Sequence, residues 1–333
     1  MTYSTRESYR QAWDAAYQSD PPIALNADLE LSSACNAKCT FCLYGDRDWD
    51  ASMKENDWDG KPKKRFMPTE MALRIIDECA AIGVPAIKFN FRGESVLHRD
   101  YGDIVEYAQH KIQDGKAIFL ELLANTNSNI PDSLWDSGIR GLMACTKVMI
   151  SLDSMDLEVY SKIRVGLSLD SAKRTIDELI KRRHPNLWVR RVVCKDNKDE
   201  PFVESVKTRW PTGLKVSEHY SFDRNHYSNQ AVHGEDYSTW ERTPCGYPSQ
   251  RIVVEASGRY SPCCIAWSGE FYETGLPGKW PELGLKDYWE SEWRKNLAGE
   301  LRENIFKNRA CSSCTSFMSY KRPERERVAD VEA

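Results

Sequence analysis

The chain has 333 residues, 41% of them hydrophobic and 29% charged, the composition of a globular protein with one large domain or a large domain and a small companion. A net charge of -4 argues against a general basic field for nucleic acid, and no apolar run approaches the length of a membrane span. The opening stretch MTYSTRESYRQAWDAAYQSD lacks the apolar core of a secretory signal, so the chain reads as cytoplasmic. Its eleven cysteines then stay reduced and point to metal or redox chemistry rather than disulfides.

Residues 1–22 form an N-terminal extension with one amphipathic piece, SYRQAWDAAY, too short for a separate module. Six apolar runs rich in β-branched residues follow and read as strands: Ile23–Leu31, Ala86–Phe91, Ile118–Thr126, Lys147–Asp153, Trp188–Cys194 and Leu214–Tyr220. Between them lie segments with helical spacing. PTEMALRIIDECAAIG begins with Pro68 in a first-turn position and stops at Gly83. SLDSAKRTIDELIKRR takes Ser168 or Asp170 as its cap and ends in basic residues, which suit a helix C-terminus. YGDIVEYAQHKI and PDSLWDSG supply shorter helices. Strands alternating with helices imply right-handed crossovers and a parallel sheet, and six units fall short of the eight that close a barrel. The expected fold class is therefore α/β, a partial (β/α)6 TIM-like barrel over 23–220, with its chemistry at the C-terminal ends of the strands. Residues 221–244 read as a polar connector. Within 245–320, RIVVEASGRYSPCCIA predicts a hairpin, Arg251–Glu255 and Arg259–Ile265, turned at Ser257 and Gly258. LKDYWESEWRKNLAGELREN predicts one helix with Trp289, Trp293 and Leu297 on or near one face. The charged tail, 321–333, is expected to fray.

The first strand runs straight into SSACNAKCTFCLYG, which places Cys35, Cys39 and Cys42 in a C-x3-C-x2-C spacing on one loop at the barrel mouth. Thiolates are the usual ligands of iron–sulfur clusters, and three of them can hold three irons of a cubane and leave the fourth iron open to a small molecule. A zinc site is the alternative, although structural zinc normally takes four closed ligands. Cys79 lies in an apolar helical pattern and reads as core, and Cys145 and Cys194 read as structural.

On this loop and its place after the first strand, the chain resembles the radical S-adenosylmethionine (SAM) superfamily over about 23–220. The resemblance implies a [4Fe-4S] cluster whose open iron is chelated by SAM, which is cleaved reductively to a 5′-deoxyadenosyl radical that abstracts hydrogen from a substrate. It also implies roles for further residues. Phe41 fills the aromatic slot before the third cysteine, beside the adenine. FNFRGESVLH stands where the family has Gly-Gly-Glu-Pro; Gly93 and Glu94 match it and hold the methionine amino group, while Arg92 and Ser95 depart from it. LLANTNS resembles the family's Thr-Asn-Gly, and ISLDS resembles its Ser-x-Asp-Gly, with Ser151 as the ribose contact. YSKIRVG resembles its Ile-Arg-Gly, which gives Arg164 the methionine carboxylate, a ligand its forked guanidinium suits. Val193 lines the adenine pocket. Read without the family, Glu94 and Asp153 are candidate helix caps and Arg164 a solvated helix-end charge. Position on the thiol side of the strands favours function for Glu94, Ser151 and Arg164, and leaves Asp153 and Asn127 open.

The C-terminal third holds Cys245 and Cys263 in a C-x12-G-x4-C pattern and later Cys311 and Cys314 in C-x2-C. On spacing alone four closed thiolates suit zinc as well as iron. The segment resembles the SPASM/twitch extension, and lacking the later cysteine run it resembles the shorter twitch form, closest in pattern to 2-deoxy-scyllo-inosamine dehydrogenases. The resemblance implies one auxiliary [4Fe-4S] cluster on Cys245, Cys263, Cys311 and Cys314, with Cys264 on the other face of its strand. A closed cluster serves electron transfer, so a two-electron dehydrogenation of a sugar-like alcohol is the first expectation. The acid or base is not identified; Arg92, His98, Tyr220 and His226 lie near the expected rim. Peptide modification is the second expectation, made less favoured by the short extension ahead of the barrel. An electron-carrying or zinc-stapled protein is the non-enzyme alternative. The expected partners are a small-molecule or peptide substrate and an electron donor such as flavodoxin or ferredoxin. The insert YGDRDWDASMKENDWDGKPKKRF reads as a lid, a substrate contact or a solvated loop.

Overall fold

The computed structural model describes residues 3–42, 65–113, 115–220, 242–263, 278–312, 314 and 327–329. All six expected strands form: β1 Asn26–Leu29, β2 Ala86–Lys88, β3 Glu121–Thr126, β4 Lys147–Ser151, β5 Leu187–Val193 and β6 Lys215–Tyr220. They pair in parallel in chain order and do not close on themselves. The fold is thus a parallel α/β sheet consistent with a partial barrel.

Helices cover its outer face. α1 is Arg6–Ala15, α2 Thr69–Ile82, α3 Tyr101–Gln109, α4 Trp135–Ala144, α5 Leu157–Ile163, α6 Leu169–Lys181 and α7 Phe202–Arg209. The sequence punctuation holds. Pro68 precedes α2, and Gly83 ends it with φ 85, a left-handed conformation that glycine adopts without a Cβ penalty. The Ser168 hydroxyl accepts the Ser171 N–H and caps α6. α6 buries Leu169, Ala172, Thr175, Ile176 and Leu179, spaced by three or four residues, against the sheet. α5 and α7 were not expected. They are short, and each contributes only two buried residues, too few for a readable period.

The N-terminal extension has a structural role. α1 packs Tyr9 with Leu25 and Ala86 below the sheet, Arg10 pairs with Glu121 at 2.6 Å, and Gln250 donates to the Trp13 carbonyl at 3.0 Å. It covers the end of the barrel opposite the cysteine loop.

The expected hairpin forms as β7 Arg251–Val254 and β8 Tyr260–Ser261, turned at Gly258 with φ 86. β7 also pairs in parallel with β1, Asn26 opposite Arg251 through Leu29 opposite Val254. The hairpin is therefore an extension of the barrel sheet. The expected single C-terminal helix is two. A short helix, α8 Tyr247–Gln250, precedes β7, and α9 Leu285–Glu290 and α10 Glu292–Arg302 meet at Ser291, whose hydroxyl accepts the Arg294 N–H and starts α10. Trp289 is buried as expected, but Trp293 and Leu297 are only half-buried. Arg294 is buried beside them and donates to Asp20 at 3.2 Å. The tail departs from expectation at three residues: β9, Arg327–Ala329, pairs antiparallel with β6 and covers that edge. Among the described residues no helix is long and apolar enough to cross a membrane.

Candidate iron–sulfur and SAM site

The loop carrying Cys35, Cys39 and Cys42 leaves the C-terminal end of β1 and is tied at several points. Lys38 and Thr40 donate backbone N–H groups to Val165 and Ile163 at 2.8 and 3.0 Å, which seats the loop on the end of α5. Asn36 donates to the Asn129 carbonyl at 2.9 Å, and Asn127 donates to the Asn36 side chain at 2.8 Å. These contacts aim donors at sulfur. Arg164 Nη1 lies 3.2 Å from the Cys39 sulfur, the Ala37 N–H 3.4 Å from that of Cys35, and Asn127 Nδ2 3.9 Å from it.

Gly93 explains how the second strand's loop reaches this place. Its φ is 49, and a Cβ there would stand 2.3 Å from the Ser32 carbonyl oxygen. The chain passes so closely that Glu94 donates its N–H to Ala34 at 2.8 Å. The Glu94 carboxylate is buried and accepts the Asn127 N–H at 2.6 Å and the Val96 N–H at 3.4 Å. It therefore caps the turn Ser95–Leu97 as well as facing the thiol loop. Burial pushes it up to about 6 despite those donors.

Arg164 is 8% exposed, so it is not a solvated helix-end charge. It pairs with Asp153 and stacks over Phe41, 5.3 Å from the ring centroid. Asp153 is no helix cap: with φ 66 it accepts the Val192 N–H at 2.6 Å and orients Arg164. Ser151 ends β4 half-buried, and Val193 ends β5 buried. The residues that sequence reading missed are Asn36 and Asn129. Only their polar side chains, one between the cysteines and one after the third strand, offered a signal.

Two rim residues change role. Arg92 binds Glu30 through two nitrogens, at 2.7 and 2.8 Å, and reaches Glu255 at 3.0 Å. Arg259 donates to the same Glu255 oxygen at 2.9 Å. Two buried carboxylates and two buried guanidiniums thus form a neutral brace between β1, the second strand's loop and the hairpin. At His98, one ring nitrogen bonds the Met67 carbonyl at 2.8 Å and the other accepts the Asp100 N–H at 3.1 Å, leaving none for proton transfer. The backbone of Tyr220 ends β6, while His226 and Cys264 lie outside the described residues, as do most of the insert and the connector.

Burial pushes the Cys35 thiol up to about 12, with Glu94, Cys39 and Cys42 adding to it. Burial also raises Cys39, against the pull of Arg164. The Cys39 and Cys35 sulfurs face the Arg164 guanidinium and the Ala37 N–H, and three thiols on one loop with such donors fit a thiolate-held cluster. At the second site Cys311 is pushed up to about 12, first by burial and then by Cys245 and Cys314. The Cys245 and Cys314 sulfurs therefore lie within electrostatic reach of Cys311. Cys263 stands two residues beyond β8, where its sulfur acts on the Tyr288 phenol. Cys79, Cys145 and Cys194 are buried, as expected of structural thiols. Among the described residues no three His, Cys, Asp or Glu side chains converge as they would on a single ion.

The family model described as the radical SAM superfamily matches residues 29–208, more than half of the chain. The chain belongs to the radical SAM superfamily. A second model, described as an iron-sulfur cluster-binding domain of SPASM type, matches 245–315. As a radical SAM protein with that extension, the chain takes [4Fe-4S] clusters and SAM as cofactors. A probable GTP 3′,8-cyclase of Methanococcus maripaludis strain C5 is 28% identical over 154 residues, 46% of this chain and 44% of that protein. The chain thus spans less than half the length of that relative. BtrN, solved in complex with AdoMet and 2-DOIA, superposes with a TM-score of 0.56 at 15% identity, covering 89% of this chain and 94% of that one. Streptococcus suis SuiB bound to the precursor peptide SuiA gives 0.59 at 14% identity, covering 93% and 73%. At such identities these structures speak for the fold.

Proposed function

We propose that this radical SAM enzyme removes two electrons from a sugar-like alcohol, with one auxiliary cluster of the twitch form at its C-terminal site. The observation that carries the reading is the union of two thiol sites in one sheet. The first loop leaves β1, the second site's hairpin is hydrogen-bonded to that strand, and Arg92 joins them. When bound, the cofactors supply a hydrogen-abstracting 5′-deoxyadenosyl radical at the first site and an electron acceptor at the second.

The chain's own residues hold and orient these groups. Cys35, Cys39 and Cys42 hold the first cluster, and Cys245, Cys263, Cys311 and Cys314 the second. Glu94 receives the methionine amino group as a carboxylate, and its fixed acceptor geometry orients that group. Arg164, held by Asp153 at Nε and facing the Cys39 sulfur at Nη1, receives the methionine carboxylate at Nη2. Ser151, Phe41 and Val193 line the ribose and adenine. A carbinol carbon that has lost a hydrogen atom must still give up one electron and its hydroxyl proton to become a carbonyl. The electron leaves toward the second site. Arg92 and His98 are committed elsewhere, so the proton acceptor belongs to the remaining rim, where Tyr220 ends β6. The likeness to BtrN, solved with AdoMet and 2-DOIA, supports this reading. Flavodoxin or ferredoxin serves as the electron donor in this proposal.

A peptide substrate is the second reading, favoured by the likeness to SuiB with its bound precursor peptide. Anaerobically loaded protein with dithionite and SAM separates the two. Deuterium passing from a ring-deuterated aminocyclitol into 5′-deoxyadenosine supports the first reading. Transfer only from a peptide, or from GTP, overturns it.

A further inference from the structure

Arg242 stands three residues before Cys245, and its guanidinium is committed to one short loop. Nη2 donates to the carbonyl oxygens of Cys311 at 2.6 Å and Cys314 at 3.0 Å, and Nη1 donates to that of Ser312. The Phe306 ring lies under it, 4.0 Å from Cζ to the centroid. Three carbonyls of one tight turn present their negative ends together, and a single planar fork satisfies all of them. The turn so held is the one in which Cys314 returns its N–H to the Cys311 carbonyl at 3.2 Å.

The same contacts hold a full positive charge on the backbone of the turn, within electrostatic reach of the Cys314, Cys311 and Cys245 thiols. Burial lowers the affinity of Arg242 for its proton, while Cys314, Cys311 and Cys245 act in the opposite direction. A guanidinium remains charged in such surroundings. The acidic group that acts on Cys311, Glu300, is itself paired with Lys307. Iron–sulfur potentials respond to nearby charge and hydrogen bonding, and reduction adds a negative charge that a fixed cation stabilises.

We propose that Arg242 is a positioning residue that sets the electron affinity of the C-terminal iron–sulfur site, by shaping the 311–314 turn and by standing as a fixed cation beside its thiolates. The inference rests on the reading of that site as an electron acceptor, and it assigns the acceptor's tuning to one side chain.

The test is a redox titration of the anaerobically loaded full chain, followed by electron paramagnetic resonance, with iron per chain measured in parallel. Wild type, Arg242→Lys and Arg242→Gln are compared without substrate, so the outcome does not depend on which alcohol or peptide is oxidised. Arg242→Gln is expected to shift the C-terminal cluster's reduced-to-oxidised ratio tenfold toward oxidised, about 59 mV for one electron, and to leave the SAM-site cluster unmoved. Arg242→Lys keeps the charge without the fork and is expected to stay within threefold of wild type. A fully loaded Arg242→Gln protein with an unmoved potential overturns the proposal. So does equal loss of the C-terminal cluster from both variants, which would leave Arg242 a purely structural clamp. If the dehydrogenase reading fails, deuterium transfer is absent while this titration still gives its answer.

Discussion

Cys35, Cys39 and Cys42 sit on one short loop that is tied to the segments after β2 and β3 and to the end of α5, whereas the C-terminal thiols are spread over about seventy residues, with Cys245 donating its N–H to Leu301 and Arg242 reaching the 311–314 turn. The donors differ in the same way. At the first site, side chains and an N–H point at the sulfurs themselves. At the second, Arg242 binds the carbonyls of the loop and leaves the sulfurs to be placed by the backbone. A short motif with a prepared cradle gives a site readable from spacing alone. A dispersed one leaves zinc and iron equally open on spacing alone, and its four thiols come from the resemblance to the SPASM/twitch extension.

Several substitutions break or sharpen this contrast. Cys39→Ala should abolish the first site alone: 5′-deoxyadenosine formation falls at least ~10³-fold while the C-terminal site's share of the iron remains. Cys311→Ala should do the reverse, keeping SAM cleavage within roughly tenfold of wild type while the two-electron product disappears. Chromatography of both products, with iron analysis, checks the pair. If Cys311→Ala still yields the oxidised product, the second site takes no part in the reaction.

Arg92→Gln asks how firmly the two regions are joined. It strands Glu30 and Glu255 without their shared cation, and breaking a buried pair in this way costs about 3–5 kcal/mol, read by anaerobic chemical denaturation. A loss below about 1 kcal/mol, the range of an exposed pair, would mean that the brace is not a joint.

Glu94 gives a smaller, pH-dependent effect. Its folded value is about 6 against an ordinary 4.5, so between these the folded chain holds a proton that the unfolded chain has released. The stability from this group is full below about 4.5 and is lost as pH rises through about 6, a change of roughly 2 kcal/mol. Without SAM, Glu94→Gln should lack this decline. Unfolding curves for both proteins at a series of pH values check it, and parallel pH profiles would place the shift elsewhere.

Much of the fold was legible because its signals are local. The six strands announce themselves through β-branched runs, α2 through Pro68 and Gly83, and the hairpin through Gly258. What escaped reading depends on partners far away in the chain. Arg92 departs from the family's glycine for a reason that lies 163 residues on, at Glu255. Arg294 lies within the segment expected as one helix, and its burial goes with Asp20, which meets it from the other end of the sequence. His98 lies near the expected rim, but the Met67 carbonyl, 31 residues back, and the Asp100 N–H occupy both of its nitrogens. The likeness to the family implied SAM contacts for Glu94 and Arg164, and Arg164 stands 3.2 Å from the Cys39 sulfur, but Asp153 as the anchor of Arg164 comes only from the left-handed backbone at that residue.

The ladder between β1 and β7 also governs how far apart the two thiol sites can stand. Four residue pairs fix its alignment, and a side-chain period of two forbids a slide of one residue without turning the hairpin inside out. The smallest permitted slide is two residues, about 6.6 Å along a parallel strand. The span between the sites is therefore stepped rather than elastic: a substitution can unzip the hairpin or leave it seated, but it has no way to tune the gap by fractions of an ångström.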